Sequence, residues 1–295
     1  MTGRARTAVE DVRDYYDQNT ARFERYGQGK RTGAIHRAVR PQPTDAERDP
    51  LRTLDRLVLA ELATLRERFA PPLHVLDLGC GVGASLVYLA SELPIVATGV
   101  TLSGVQAARA RERVEAHGLE DRIEILEGSY LELPATLPAA ALAFSLEAFV
   151  HSPDPTAYFQ ASAERVAHGG LLVVCDDFLS ASAAGTAAAP SPRDQQRLAD
   201  VRSGWHASSL VSAAEASELA ARAGFLLEKN VDLSARLELG RPRDLAIALF
   251  VALARPFRPS GQWFRSLLGG SALQRALGSG LIEFRCLVFR RKAAD

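Results

Sequence analysis

The chain has 295 residues, 47% of them hydrophobic, with 35 basic and 35 acidic side chains. That apolar content fills a complete core, either one large domain or a domain with a cap. A net charge of zero argues against a polyanionic partner, because nucleic-acid binders carry a basic footprint. Arginine far outnumbers lysine, which occurs only as Lys30, Lys229 and Lys292, and alanine is abundant. This reads as the codon bias of a GC-rich bacterial genome. Cys80, Cys175 and Cys286 lie in apolar stretches without metal-ligand spacing, which suits core residues in a reducing cytoplasm. The N-terminus lacks the apolar region of a signal peptide, and the longest apolar run near the C-terminus, LAIALFVALA (245–254), is too short to span a bilayer.

Residues 1–70 read as a mostly helical N-terminal lid. From residue 73 strands and helices alternate, the pattern of a parallel sheet covered on both faces. HVLDLG (74–79), IVATGVT (95–101), IEILEG (123–128), ALAFSLEA (141–148), GLLVVCDDF (170–178) and FLLEKNVDLS (225–234) are the predicted strands. Helices are predicted over 83–93, 103–118, from Pro155 to about His168, and 212–223, with Ser103 as an N-cap and Gly118 as a stop. The Ala/Ser/Pro-rich stretch 179–197 carries no pattern and reads as a mobile loop. Residues 241–279 look like two or three short apolar helices, and the alternating LIEFRCLVFRR (281–291) reads as a final antiparallel strand at the sheet's edge.

The stretch VLDLGCGVGASL (75–86) places Gly79, Gly81 and Gly83 directly after a buried strand. Taken alone it satisfies both a dinucleotide fingerprint and the glycine loop of S-adenosylmethionine (SAM) enzymes. Asp77 suits the ammonium of a methionine moiety and would repel a pyrophosphate. The end of strand two has no acid for a nicotinamide cofactor's ribose, and Gly83 at the third glycine position favours SAM. TGVTLSGVQAARA (98–110) resembles the TGxTLSxxQ segment of class I SAM-dependent methyltransferases that act on lipophilic small molecules, among them cyclopropane-fatty-acid synthases and tocopherol and sterol methyltransferases. The resemblance covers roughly residues 70–178. It implies SAM as cofactor, with S-adenosylhomocysteine as product, held by Tyr16, Asp77, Gly79, Cys80, Gly81, Gly83, Thr101, Leu102, Gln106, Ser129 and Tyr130. Thr101, Leu102 and Gln106 would stand in for the missing strand-two acid. EGSYLELP (127–134) matches the segment that packs on adenine, and DYYDQNTARFERYGQG (14–29) resembles the YYD segment that covers the cofactor.

FSLEAFVHSPDP (144–155) resembles the xxExxxHxPD segment of the same enzymes, so Glu147 and His151 are the expected catalytic residues. Glu147 would remove a proton after C-methylation, and His151, with its near-neutral ordinary pKa, suits O- or N-methylation. The [DN]PP[YF] motif of DNA methyltransferases is absent. Tyr26, His36, Trp205 and Trp263 are expected to line the acceptor pocket, drawn from the lid, the loop 179–210 and the insertion 241–279. Arg236, Arg241 and Arg243 could bind a phosphate or diphosphate, or be solvated charge, which is the favoured reading. Asp176 and Asp177 end strand five, where metal-dependent catechol methyltransferases place a ligand, but the other ligands are missing from the sequence, so no metal is expected.

The expectation is therefore an α/β, doubly wound, mostly parallel seven-stranded sheet. A lid (1–70), a SAM-binding core (71–240), a helical cap (241–280) and a final edge strand (281–295) divide the chain. Its expected work is methylation, with C-methylation favoured, of an isoprenoid or other natural-product intermediate in a bacterial cytoplasm. O- or N-methylation, a SAM-binding cyclase, a nicotinamide-dependent oxidoreductase and the oligomeric state stay open.

Overall fold

The structure is a computed structural model that describes residues 3–26, 33, 35–43, 48–185, 190–257 and 261–293. In chain order the elements are α1 (Gly3–Tyr26), α2 (Thr53–Leu65), β1 (Leu73–Leu78), α3 (Ala84–Glu92), β2 (Ile95–Thr101), α4 (Gly104–Ala116), β3 (Ile123–Glu127) and β4 (Ala140–Leu146). There follow α5 (Pro155–Arg165), β5 (Val166–Leu179), α6 (Pro192–Gly204), α7 (Ala213–Arg222), β6 (Phe225–Asp232), α8 (Pro242–Ala254), α9 (Gln262–Gly278) and β7 (Ile282–Arg291).

The seven strands form one sheet in the order β3-β2-β1-β4-β5-β7-β6, with β1 to β5 parallel and β7 antiparallel to both its neighbours. Successive strand residues serve opposite faces. Val75, Leu142, Leu171 and Val173 pack with α2, α3 and α4, whereas Leu76, Ala143, Leu172 and Val174 pack with α5 and α7. Both faces are thus covered, which explains the nearly continuous apolar strands. Strand order reverses between β1 and β4, and ligands of such sheets bind beyond the strand ends at that point. The glycine loop leaves β1 there, and Glu147 follows β4.

The helix starts are written locally. Ser103 accepts a bond from the Gln106 backbone N–H at 3.1 Å and caps α4, whose Ala107, Ala110 and Val114 are buried at helical spacing. Gly118, expected as the stop, has a left-handed φ of 61°. Two expectations need correction. Residues 192–197 of the expected mobile loop belong to α6, because Ser191 caps the Asp194 N–H at 3.2 Å and Pro192 opens the first turn. The final strand is interior, and β6 is the edge. Alternating charge misled here, since Glu283 pairs with Arg285 at 2.7 Å and Arg290 reaches Glu228 at 2.8 Å, so the charged side chains of an inner strand are satisfied along the surface.

α6 and α9 form the cap over the cavity. They cross at glycines: a Cβ on Gly204 would lie 2.8 Å from the Gly269 Cα, and a Cβ on Gly269 would lie 2.5 Å from the Gly204 carbonyl carbon. α1 is held on both sides. Tyr15 is buried with its ring edge-on to Trp205 at 6.1 Å, Asp17 accepts a short bond from the Ser103 hydroxyl, and Arg13 Nε donates to the Leu102 carbonyl at 3.2 Å. Among the described residues no helix is long and apolar enough to cross a membrane.

Candidate active site

The ends of β1, β2 and β4, the lid and α9 enclose a cavity of about 290 Å³, the scale of a small-molecule cleft. Asp77, Gly79, Cys80, Gly81, Thr101, Leu102, Gln106 and Tyr130 of the expected cofactor set line it, together with Tyr16 of the lid. Gly83 lies just behind, opening α3 at φ 75°. Ser129 does not line the cavity; its hydroxyl accepts the Leu131 N–H at 3.2 Å in a local turn. Of the expected acceptor contacts, His36 and Trp205 line the wall. Trp263 does not: it is 52% exposed on the outer side of the cap, beside Phe250 at 5.7 Å. The apolar 3.6-period of α9 could not reveal which side faced inward. The Tyr26 side chain lies outside the described residues.

The glycine loop brings bare backbone to the cavity. Gly79 has φ 112°, and a Cβ there would come within 2.4 Å of the Ala148 Cβ, so only glycine fits without displacement. The Gly79 and Cys80 N–H groups bond to the Val100 carbonyl at 3.0 and 2.9 Å and fasten the loop to β2. Thr101 Oγ1 donates to Gln106 Oε1 at 2.8 Å, while Gln106 Nε2 approaches the Gly81 turn. The pair expected to stand in for a strand-two acid is thus locked together. Burial, and then Asp55, hold Asp77 well above the ordinary carboxylate range. A cation beside it would reverse that penalty. Ala84 and Ser85, the first residues of α3, also face the cavity, where unpaired helix N–H groups favour an anion. Close backbone, a buried acid for an ammonium and a helix start for a carboxylate fit the amino-acid end of SAM.

Glu147 stands at φ 55°, an uncommon conformation for a side chain with a Cβ and one that clusters at functional sites. Arg37 holds both its oxygens: the Arg37 backbone N–H donates to Oε1 at 2.6 Å and Nε donates to Oε2 at 3.0 Å. Arg37 Nη2 also donates to Asp177 Oδ2 at 2.8 Å, and the guanidinium lies 4.5 Å over the Phe284 ring. Burial would lower the Arg37 pKa, but Asp177 and Glu147 outweigh it and raise it. Asp176 receives the Val150 and Asp177 N–H groups at 3.0 and 2.8 Å. Burial, then Asp177, keep its pKa well above the usual range. Sequence reading missed Arg37, and no local signal marks it.

His151 is buried, with Nδ1 3.2 Å from the His206 carbonyl and Nε2 2.9 Å from the Tyr16 hydroxyl. A carbonyl only accepts, so Nδ1 carries the proton and Nε2 accepts from Tyr16. Burial pulls the His151 pKa down to about 4 against the raising effect of the His206 bond, so the ring is neutral at physiological pH. Arg241 and Arg243 line the cavity from the start of α8, with Arg241 Nε on Asp244 at 2.9 Å. Arg236 Nε donates to the Arg40 carbonyl at 2.6 Å and does not line the cavity.

A family model described as "Methyltransferase domain" matches residues 75–170. A probable tocopherol O-methyltransferase of Oryza sativa subsp. japonica is 28% identical over 166 residues, 56% of this chain and 46% of the relative. Methyltransferase GfsG of Streptomyces halstedii is 29% identical over 166 residues, 56% of this chain and 57% of the relative. The chain thus spans about half the length of these curated relatives. The cyclopropane synthase MmaA2 of Mycobacterium tuberculosis superposes with a TM-score of 0.73 at 16% identity, over 96% of this chain and 98% of that one, a likeness of fold. Glycine loop, locked Thr101–Gln106 pair and sheet order agree with the sequence match, and residues 75–170 are a methyltransferase domain.

Proposed function

We propose that this chain methylates an O–H or N–H group of a lipophilic natural-product intermediate, with His151 as the proton acceptor acting through Tyr16. The observation that carries the reading is the Tyr16–His151 bond at the cavity wall. SAM supplies, when bound, an electrophilic methyl group on a positively charged sulfur. Asp77, the Gly79–Gly83 loop, Thr101, Leu102 and Gln106 hold the cofactor, and Tyr130 packs beside it. Leu146, Leu273 and Trp205 give the wall its apolar character, which suits an isoprenoid or polyketide-like acceptor. Tyr16 passes its hydroxyl proton to His151 Nε2 and takes the acceptor's proton in its place. His151 Nδ1 keeps its proton and donates it in a hydrogen bond to the His206 carbonyl throughout. A ring with a pKa of about 4 is a weak base, so proton transfer completes only as the acceptor heteroatom gains its methyl and its hydrogen becomes acidic. Alignment and dehydration by α1 and the α6–α9 cap carry most of the remaining rate.

Glu147 does not fit as well as a free base, since Arg37 occupies both its oxygens. A second reading, C-methylation finished by Glu147, is favoured by one observation: Glu147 lines the cavity at the end of β4, where a carboxylate would steady a carbocation.

SAM carrying a ¹³C methyl, incubated with lipophilic phenols, enols and isoprenoid alkenes, separates the readings by the methyl shift of the product and the S-adenosylhomocysteine released per turnover. We expect O- or N-methyl products, and His151→Gln should lower kcat by roughly 10²–10⁴-fold with SAM affinity nearly unchanged. C-methyl products, with His151→Gln active and Glu147→Gln inert, would transfer the role to Glu147. Turnover without S-adenosylhomocysteine would make the chain a cyclase.

A further inference from the structure

α8 is an apolar helix that packs on α9 by one side and leaves its other side exposed. Between Asp244 and Arg255 it carries no charge, and Val251 is its buried residue. Leu245, Leu249, Leu253 and Phe250, continued by Phe257 and by Trp263 of α9, are 44% to 84% exposed. Leu245, Leu249 and Leu253 recur every four residues and form one stripe. The surrounding charge is mainly basic. The sequence 241–279 holds six arginines against the single acid Asp244, in a chain of zero net charge. At the far end of α8, Arg255 pairs with Asp200 of α6 at 3.0 Å, yet Arg193, Arg197 and Arg255 still crowd Arg275, which burial and these neighbours pull below its ordinary pKa.

We propose that the α8 face of the cap docks the enzyme on an anionic lipid bilayer, with the leucine stripe in the acyl boundary and the arginines among the headgroups. A helix of 13 residues is about 20 Å long, too short to cross the hydrocarbon core, so it lies in the interface. Aromatic side chains at the rim and arginines at both ends match that environment. A second copy of the chain fits less well, because face-to-face pairing would press two arginine-rich caps together. A protein groove would have to be shaped to a convex stripe, whereas lipid conforms to it. Arg241 and Arg243 both open α8 and line the cavity, so docking places the cavity mouth at the membrane. Delivery of the acceptor from the bilayer rests on the lipophilic-acceptor reading; docking does not.

The test is flotation of the full chain with phosphatidylcholine vesicles, with and without phosphatidylglycerol, while Trp263 emission is followed. Flotation and a blue shift with the anionic vesicles are expected, weakened by raised salt. The exposed pair Leu249→Glu and Leu253→Glu should weaken binding about tenfold or more, without altering SAM affinity. Trp263→Phe should abolish the blue shift and so assign it. No flotation with anionic vesicles, equal flotation with neutral ones, or undiminished flotation of the double variant would each overturn the proposal. So would a dimer in sedimentation that the double variant dissolves, which would give the face to a second copy. SAM binding measured in parallel keeps any of these failures separate from failure of the methyltransferase reading.

Discussion

Replacing Arg37 with methionine tests how the site holds its charge. The guanidinium bridges Glu147 and Asp177, whose side chains are 15% and 2% exposed. Removing one partner of a buried ion pair leaves the other charge uncompensated and costs about 3–5 kcal/mol. For a chain of this size that corresponds to a fall in Tm of roughly 10 °C. Methionine keeps much of the side-chain volume beside Phe284, so the loss reports charge more than packing.

The pH dependence separates this cause from a simple packing defect. Burial raises the Asp177 pKa, and Arg37 pulls it back down. Without Arg37 the folded-state pKa moves further above its unfolded value. A group raised on folding contributes stability below its unfolded pKa and loses it as pH rises through the folded pKa. The deficit of the variant against wild type should therefore be small near about pH 4.5 and grow towards about pH 8. Thermal melts of both proteins across that range measure it. A deficit that is constant with pH, or below about 1 kcal/mol at pH 8, would refute the bridging role assigned to Arg37.

His151 should show the opposite sign. Its folded pKa of about 4 lies below the ordinary 6.5, so the unfolded chain takes the proton first, and roughly 3 kcal/mol present above pH 6.5 is lost as pH falls through about 4; denaturant titrations of wild type and His151→Gln should differ by that acid limb. Gly79→Ala forces a Cβ to 2.4 Å from the Ala148 Cβ at φ 112°, so we expect about 1–3 kcal/mol of lost stability and SAM affinity weakened at least about tenfold by calorimetry. Unchanged affinity would mean the loop does not carry the cofactor.

What the sequence disclosed was local. Strand, glycine turn and capped helix are written in consecutive residues, so the SAM loop and the Ser103 cap were legible, and the Thr101–Gln106 pair came from a resemblance over the same short span. α6 was also written locally, in the order Ser191, Pro192, Asp194, but the low-complexity residues before it hid the signal. What stayed hidden is carried by distance along the chain. Arg37 meets Glu147 across 110 positions and Asp177 across 140, and Asp17 meets Ser103 across 86. No periodicity records such pairings, because they exist only once the lid is folded on the core. The same limit applied to Trp263, whose inward or outward side depends on how α9 packs against α6 and α8.

That distance has a consequence for specificity. The matched domain, residues 75–170, contains the glycine loop, Thr101, Gln106, Glu147 and His151. The groups that set the chemical state of the last two lie outside it: Arg37 and Tyr16 before it, Asp177 and His206 after it. On the proposed reading the domain supplies the cofactor contacts, while Arg37, Tyr16, Asp177 and His206 decide which side chain can accept a proton. Exchanging α1 and residues 35–43 between two such enzymes should move acceptor choice and leave the Gly79–Gly83 loop in place, because none of the strand-end contacts that hold that loop to β2 belongs to those segments.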